Sequence, residues 1–223
     1  MCPGSVDDDP LATKFRCFVK SRVFPCVGAK SALTRGQLHF AVAHDLRAPS
    51  DDARLYQALL EFVRHYRARK VLFQSFVIIF QAPVTLSEHG FEQYLWKRLQ
   101  SFTDLDTAHG HSADTRVSAD PRSPHFSLSF GAEAFFAIGL HPNASRPARR
   151  FPHPVIVLNP HDQFDELRRR GVYQRMRRHI LSNELAISGS INPMLCEFGE
   201  ASEAAQYSGR IVEDGWRCPF HRT

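Results

Sequence analysis

The chain has 223 residues, of which 43% are hydrophobic and 23% are charged. This length and composition indicate a globular protein with one domain, or one domain with a small appendage, and exclude a disordered chain. No apolar run approaches the roughly 18 residues of a transmembrane helix, so we expect no membrane partner. The N-terminus lacks the apolar core of a signal peptide. The five cysteines include no Cys-x-x-Cys pair, which favours reduced thiols and a cytoplasmic location.

The net charge of +5 comes from 28 Lys and Arg against 23 Asp and Glu. The excess lies between Arg146 and Arg178, a segment with nine arginines, no lysine and three acids, so the rest of the chain carries a net charge of −1. Because the excess is local, and Trp and Tyr are too few for a stacking platform, we expect no nucleic-acid partner. Arginine suits bidentate contact with carboxylate or phosphate. A solvated helix face explains Arg168 to Arg178 equally well.

The residue pattern predicts a flexible end at residues 1–13 and one domain at 14–223. Strands are predicted from alternating or continuous apolar residues, and helices from capping residues followed by helical spacing. The predicted strands are 16–27, ending at Pro25, then 36–46, 71–81, 126–130, 134–140 and 155–158. The predicted helices run from Ser50 or Asp51 to about Lys70, from Ser87 through Phe91, Leu95 and Leu99, and from Asp162 to about Glu184 with a break at Gly171.

Two stretches lack such periodicity. Residues 104–124 are predicted to form a surface loop, and residues 189–223 are predicted to be irregular chain. The fold class that follows is α+β, or mixed α/β: a single layered domain with a central, mostly antiparallel sheet, about three longer helices and an irregular C-terminal segment.

The common motifs of nucleotide and metal chemistry are absent. Residues 27–31 resemble a phosphate loop, but Ala29 separates the glycine from Lys30, and position 24 is not glycine. The chain has no zinc-finger spacing and no Gly-x-Ser-x-Gly nucleophile elbow. Its one His-x-His pair, His109 and His111, lies in the predicted polar loop. Surface histidines explain that pair better than a metal site does.

A histidine follows the predicted strand 134–140 and precedes a cluster of arginines. His141 begins a loop in which Pro142 fixes the backbone and Asn143 and Ser145 favour turns. The arginines that follow are Arg146, Arg149 and Arg150. One interpretation is a structural histidine with arginines paired to nearby acids. The other is a ligand or proton-transfer group beside an anion site.

Two further segments carry polar side chains beyond what a linker needs. His161 follows the last predicted strand, although a structural role at a helix start explains it equally well. The irregular C-terminal segment includes the polar residues Glu203, Gln206, Tyr207 and Arg210. Ordered polar loops often carry functional sites. The alternative is a tail that wraps over the domain and satisfies its own backbone.

Seven blocks of this sequence, in one order, resemble the YqcI/YcgG family. They are FPCVGAKSAL (24–33), FEQYLWKRL (91–99), GLHPNASRPARRF (139–151), NPHDQFDELR (159–168), GSINPML (189–195), SEAAQYSGR (202–210) and WRCPF (216–220). Most of the family is uncharacterised. Its members with an assigned role are haem-dependent N-oxygenases of specialised metabolism, which oxidise an amino or guanidino-type nitrogen. The resemblance therefore implies a haem b cofactor and O₂ or peroxide as the oxidant.

Haem needs an axial ligand, an apolar slot and cations for its two propionates. The resemblance implies an iron ligand, and His141 is the predicted one. The loop that follows it would bind the cofactor, with its arginines on the propionates. These predicted cofactor-binding residues are His141, Asn143, Ser145, Arg146, Arg149 and Arg150. His161, Cys26 and Cys218 are alternative ligands of the haem iron, and a thiolate ligand favours O–O cleavage.

The resemblance also implies a small nitrogen-containing substrate, either amino-acid-like or an amino-heterocycle. A guanidinium or amine needs a carboxylate partner, and Glu203 is our choice. Gln206 and Tyr207 lie nearby in sequence, and Arg210 could hold a substrate carboxylate. No dinucleotide fingerprint is visible, so electrons would come from an external reductase or ferredoxin unless peroxide is the oxidant.

Two other classes of function remain open. The protein could bind haem as a sensor or carrier without catalysis, or it could bind no haem and use its arginine cluster for a phosphate- or carboxylate-bearing ligand. Substrate turnover distinguishes the first class, and the presence of a Soret band distinguishes the second. A homodimer is compatible with the sequence, because the irregular C-terminal segment could be held across an interface.

Overall fold

A five-stranded sheet lies at the centre of the structure, a computed structural model that describes residues 9–222. The strands are β1 (Leu38–Asp45), β2 (Ser75–Ala82), β3 (Leu128–Phe130), β4 (Glu133–Leu140) and β5 (Val155–Pro160). The helices are α1 (Pro10–Lys20), α2 (Val27–Thr34), α3 (Asp52–Ala68), α4 (Glu88–Ala108), α5 (Asp162–Arg169), α6 (Tyr173–Ser188) and α7 (Ala204–Tyr207).

The strands follow the order β1-β2-β5-β4-β3. Only β1 and β2 pair in parallel, joined by the crossover helix α3, and the other three pairings are antiparallel. This arrangement confirms the predicted mixed α+β fold with a mostly antiparallel sheet. Five of the six predicted strands correspond to β1 to β5. Their apolar residues are the reason that sequence could locate them. In β2, for example, residues 76–80 are all buried, so both faces of the strand are apolar.

The sheet separates two hydrophobic cores. On one side, which we call the α3/α4 face, the sheet packs against α3, α4, α7 and the C-terminal segment. On the other side, the α1/α2 face, it packs against α1 and α2. Strand alternation assigns the residues: in β2, Ile78 belongs to the α3/α4 face and Val77 to the α1/α2 face. Every sheet residue can therefore be placed on one face or the other.

The predicted strand at 16–27 is wrong. Residues 10–20 form α1, whose Asp9 side chain accepts a hydrogen bond from the Leu11 amide, with Pro10 in the first turn. The buried residues Ala12, Phe15 and Val19 follow helical spacing. The helix also begins inside the segment predicted to be flexible at 1–13, of which residues 1–8 lie outside the described residues.

The long basic segment divides into two helices at the predicted place. Gly171 has a φ of +68°, a left-handed conformation that glycine adopts without a steric penalty. Helix α5 ends just before it and α6 begins just after it. The predicted surface loop at 104–124 starts later than expected, because α4 continues to Ala108. Across residues 9–222, no helix combines the length and apolar character that crossing a membrane requires.

Ser87 caps α4, and its replacement tests this helix start. Its side chain accepts a hydrogen bond from the Gly90 amide at 3.1 Å. We expect Ser87→Ala to lower the free energy of unfolding by about 1 kcal/mol, because an orphan amide of the first turn loses its partner. Urea denaturation measures this loss. Ser182→Ala, at an exposed position of α6, is the control and should change stability by less than about 0.5 kcal/mol; equal losses in both variants would contradict the capping role.

Candidate functional site

An apolar cavity of about 290 Å³ lies against the α1/α2 face of the sheet. Side chains of α1, α2, β4, α5 and α6 contribute to its wall, among them Phe15, Phe136, Phe164 and Met176. Its volume is at the lower end of the range for small-molecule sites, which combine apolar walls with a few polar groups. The polar wall residues include Cys26, Asn159 and Asn192.

Three charged residues line this cavity: Arg146, Arg149 and Glu184. Arg146 donates from Nε to Glu184 Oε1 at 2.6 Å, and both side chains are about nine-tenths buried. Arg146 also donates to the carbonyl of Ser190. This pair joins the loop after β4 to α6 and neutralises itself, so the cavity wall keeps the one positive charge of Arg149.

Arg149 has no carboxylate partner in the part of the chain that the structure describes. Its guanidinium donates to three backbone carbonyls, those of Gly139 at 2.9 Å and of Tyr207 and Gln206 at 3.2 Å. Burial lowers the pKa of Arg149 to about 10, the direction expected for a cation removed from water. Dipoles of carbonyl groups stabilise the cation but do not neutralise it. Of the predicted propionate partners, Arg149 is the one at which an anion would meet an uncompensated charge.

The other predicted cofactor-binding residues of this loop serve the loop itself. Arg150 donates to the carbonyls of Ala144 and Ser145, both at 3.0 Å. Asn143 donates to the carbonyl of Leu86 at 2.9 Å, and the Ser145 amide donates to Glu88. These contacts fasten the loop to the start of α4. Arg150, Asn143 and Ser145 are not among the described residues that line the cavity.

His141 lies on the opposite face of the sheet from the cavity. In β4, Phe136, Ile138 and Leu140 alternate toward the cavity, so the next residue turns the other way. The His141 ring stacks on Phe91 of α4 at 4.4 Å between centroids. The Nδ1 atom of His141 is buried without a hydrogen-bond partner among residues 9–222, and burial lowers the pKa of His141 to about 4. The structure therefore brings together Arg146 and Arg149, but not His141, at the cavity.

The three alternative iron ligands occupy different places. His161 is buried against Phe198, with its Nδ1 3.8 Å from Asp165, and burial lowers its pKa. Cys218 borders a surface depression formed by the C-terminal segment, and burial raises its pKa to about 12. Cys26 caps α2, accepting a hydrogen bond from an amide at 3.4 Å, and burial raises its pKa. Among the four predicted iron ligands, Cys26 is the one in the described wall of the cavity.

The C-terminal segment that carries Glu203 packs at the edge of β4, and none of Glu203, Gln206, Tyr207 and Arg210 is among the described residues that line the cavity. Strand β3 pairs with β4 only at residues 133–135. The rest of β4, residues 136–140, therefore has no strand on that side, and α7 contacts β4. Arg149 fastens α7 to this edge through the carbonyls described above. Phe136 lines the cavity, and its ring also packs against Tyr207 and Phe164, with ring centroids 5.2 Å and 6.1 Å apart. The edge of β4 therefore joins the cavity to the predicted substrate segment.

Glu203 is a buried carboxyl group without a hydrogen-bond partner for its Oε2 atom among residues 9–222. Its residue is 7% exposed. Burial raises the pKa of Glu203 to about 7, with Arg168 lowering it and Asp165 raising it further. A carboxyl group in this state takes up a proton or a cation near neutral pH. The role of Glu203 toward a cationic nitrogen stays a prediction.

Of the neighbours predicted to act with Glu203, Gln206 and Arg210 bond to other side chains, and the Tyr207 hydroxyl has no hydrogen-bond partner among residues 9–222. Gln206 donates from Nε2 to Cys196 Sγ at 3.0 Å. Tyr207 is fully buried beside Trp96 at 5.6 Å between ring centroids, and burial raises its pKa. Arg210 donates to Glu92 at 2.8 Å and to Glu213 at 2.7 Å. The structure does not pair Arg210 with Glu203, and both sides of its guanidinium are occupied.

The sequence interpretation missed two features of this site. The wall contributed by α1 was missed because residues 16–27 were predicted as a strand. The Asp9-Pro10 start and the spacing of Ala12, Phe15 and Val19 could have shown the helix. Glu184 as the partner of Arg146, 38 positions away, had no local signal at all.

Within residues 9–222, no group of three or more His, Cys, Asp or Glu side chains is arranged to hold a metal ion. Comparison with curated proteins gave no significant match, and neither did comparison with solved structures. Residues 15–221 match the sequence profile of the YqcI/YcgG family. Because this match covers nearly the whole chain, and all seven sequence blocks lie within it, the chain belongs to the YqcI/YcgG family.

Proposed function

We propose that this protein is a haem-dependent N-oxygenase whose cofactor binds in the cavity on the α1/α2 face. The observation that carries the proposal is the composition of one wall. An apolar cavity holds a cysteine, Cys26, and an arginine, Arg149, that pairs with no carboxylate among residues 9–222. These are the donor, the slot and the cation that a haem with propionates needs.

The residue types in the cavity wall fit haem, but the cavity is too small to hold haem without a change in its wall. A volume of about 290 Å³ is smaller than a porphyrin, so uptake of haem has to displace part of the wall. Helix α6 and residues 189–195 are among the wall segments that lie outside the sheet. The side chains that line the cavity there, such as Leu181 and Leu195, come from an exposed helix and loop rather than from a strand.

Three residues of the chain would each have a separate role. Cys26, after losing its proton, would donate its thiolate to the iron. Arg149 would pair with a propionate, whereas Arg146 is already neutralised by Glu184. When bound, haem supplies iron that activates O₂ or peroxide for insertion of oxygen at an N–H bond. Glu203 would hold the cationic nitrogen of the substrate, because it is buried and its Oε2 atom has no hydrogen-bond partner among residues 9–222.

Spectra of the reconstituted protein and two variants test this assignment. We expect a Soret band for the parent protein and, in the ferrous carbonyl complex, the red-shifted band of a thiolate-ligated haem. Cys26→Ala should lose that red-shifted band, while His141→Ala should keep it, because His141 lies on the other face of the sheet. The reverse pattern would assign the iron to His141. The absence of any Soret band would reject haem.

Arg149 also favours a second candidate function. A haem-free protein could bind a phosphate- or carboxylate-bearing small molecule at the same uncompensated cation. A protein that shows no Soret band but gains thermal stability with such a ligand would support this candidate. A haem carrier without catalysis would show the spectra above but no turnover of arginine-like substrates with O₂ and a reductant.

A further inference from the structure

The cavity on the α1/α2 face has one end at which a cation is open to a ligand. Arg149 lines the cavity and donates to three backbone carbonyls. A guanidinium has five N–H groups, so at least two of those of Arg149 have no partner within residues 9–222. Burial lowers the pKa of Arg149 only to about 10, so the side chain stays charged at neutral pH. This end of the cavity therefore offers one positive charge with free donors.

From this cation the cavity extends along β4. Phe136, Ile138 and Leu140 alternate toward the cavity, and Arg149 bonds to the carbonyl of Gly139, beside Leu140. Because a strand rises about 3.3 Å per residue, the wall from Leu140 to Phe136 is about 13 Å long. Side chains of α1, α2 and α6 cover this side of the sheet. The cavity is therefore a slot between sheet and helices, with its open cation near one end.

The far end of the slot is polar but uncharged. Asn159 lies there, since it pairs with Phe136 across the two strands, and it accepts a hydrogen bond from Ser75 at 2.6 Å. Gln163 donates to the carbonyl of Gln74 at 2.8 Å and accepts from its amide at 2.7 Å. These groups bond to one another and offer no second ionic contact. The slot therefore favours a ligand with one charged group over a ligand with charges at both ends.

The volume of the cavity limits the apolar part of such a ligand. A group the size of a water molecule takes up about 30 Å³. The cavity has about 290 Å³, so roughly ten groups of this size, such as methylenes, fit in it. A straight chain of about ten carbons therefore fills the slot with its walls in place.

We propose that this cavity binds a medium-chain carboxylic acid, with its carboxylate on Arg149 and its aliphatic chain in the slot along β4. The inference deepens the haem-free candidate described above and does not depend on haem. A carboxylate carries the single negative charge that matches this cation, whereas a phosphate group carries about −1.5 to −2 at pH 7. Burial of the chain against apolar walls supplies the rest of the affinity.

Calorimetric titration of the full chain with straight-chain acids tests the proposal. We expect the Kd to tighten by up to about fourfold for each methylene added between butanoate and decanoate. Hexadecanoate should gain nothing further, because its chain exceeds the volume of the cavity. Decan-1-ol has the same chain as decanoate and no charge, so it should bind about tenfold more weakly or worse.

Two pairs of variants locate the bound acid. Arg149→Met should weaken the Kd of decanoate by about tenfold or more. Arg150→Met is its control, because Arg150 is outside the described wall of the cavity, and it should leave the Kd within about twofold. Since Arg149 also holds α7, the second pair leaves it in place. Leu181→Trp narrows the cavity from α6 and should abolish binding, whereas Leu185→Trp, at an exposed position of the same helix, should not.

Three outcomes would overturn the proposal: no saturable binding of decanoate, equal affinity for decanoate and decan-1-ol, or an affinity that keeps rising from decanoate to hexadecanoate. The Soret band tests haem separately. Haem uptake without decanoate binding keeps the N-oxygenase and removes the carboxylic-acid site, and decanoate binding without a Soret band does the reverse. Where both bind, decanoate should lower haem uptake; unchanged uptake would place the acid outside this cavity and reject the proposal.

Discussion

Replacing Glu203 by glutamine is expected to stabilise the protein at pH 8, by as much as about 3 kcal/mol. Burial raises the pKa of this carboxyl group from its ordinary 4.5 to about 7, and each pH unit of such a difference corresponds to about 1.4 kcal/mol. Above pH 7 the native state must hold an ionised carboxylate away from water, and its Oε2 atom has no hydrogen-bond partner among residues 9–222 to compensate it. Glutamine has the same shape and carries no charge.

The raised pKa of Glu203 fixes how the stability difference between the parent protein and Glu203→Gln changes with pH. Because the pKa is raised in the folded protein, the native state holds its proton more tightly than the unfolded chain does. The cost is absent below about pH 4.5, grows as the pH rises to about 7, and is constant above that value. We therefore expect the parent and Glu203→Gln to have similar stability near pH 4.5 and to differ increasingly up to pH 7, as measured by urea denaturation at several pH values.

The same variant separates a functional role from a structural one. A residue kept at a stability cost in a site suggests selection for chemistry, so Glu203→Gln should keep its haem spectrum and lose turnover of a cationic substrate. Glu200→Gln, an exposed change in the same segment, is the control for both measurements. A flat stability difference between pH 4.5 and 8 would contradict the buried, unpartnered carboxylate. Full turnover would reject the substrate role.

The parts of the fold that could be predicted are those whose signal is local. The apolar run of β2, the Ser87 cap and the break at Gly171 each depend on residues within a few positions. The strand predicted at 16–27 failed because a stretch with Phe, Val and Cys favours strands by composition, while the helix is set by the Asp9 cap and by packing on the α1/α2 face. Tertiary packing overrides local preference in such segments.

The candidate site shows the same limit at longer range. Arg149 and Cys26 were identified by residue type, and the structure places both at one cavity although 123 positions separate them. His141 was chosen because it ends a strand beside arginines. Which face of the sheet it occupies depends on the register of β4, and that register is fixed by its pairing with β5. A shift of one residue reverses the face, so sequence pattern alone could not place it.

Replacing Gly139 by alanine is expected to destabilise the protein by about 3 kcal/mol. A Cβ atom at this position of β4 would lie 2.6 and 2.8 Å from two ring atoms of Phe91 and 3.1 Å from the carbonyl oxygen of Tyr207. Phe91 cannot rotate away easily, because it is fully buried and stacks on His141. Overpacking of this kind costs about 1–3 kcal/mol and more where the backbone is involved.

A matched glycine and a rescue variant show whether close packing is the cause. Gly28→Ala in α2 would make only ordinary contacts of 3.6 and 3.7 Å, so it should be neutral or stabilise the helix by up to about 1 kcal/mol. Phe91→Leu removes the ring atoms that the new Cβ would meet. The double variant Gly139→Ala with Phe91→Leu should therefore lose less stability than the two single losses combined. Additive losses would mean that the ring of Phe91 is not what requires glycine at position 139.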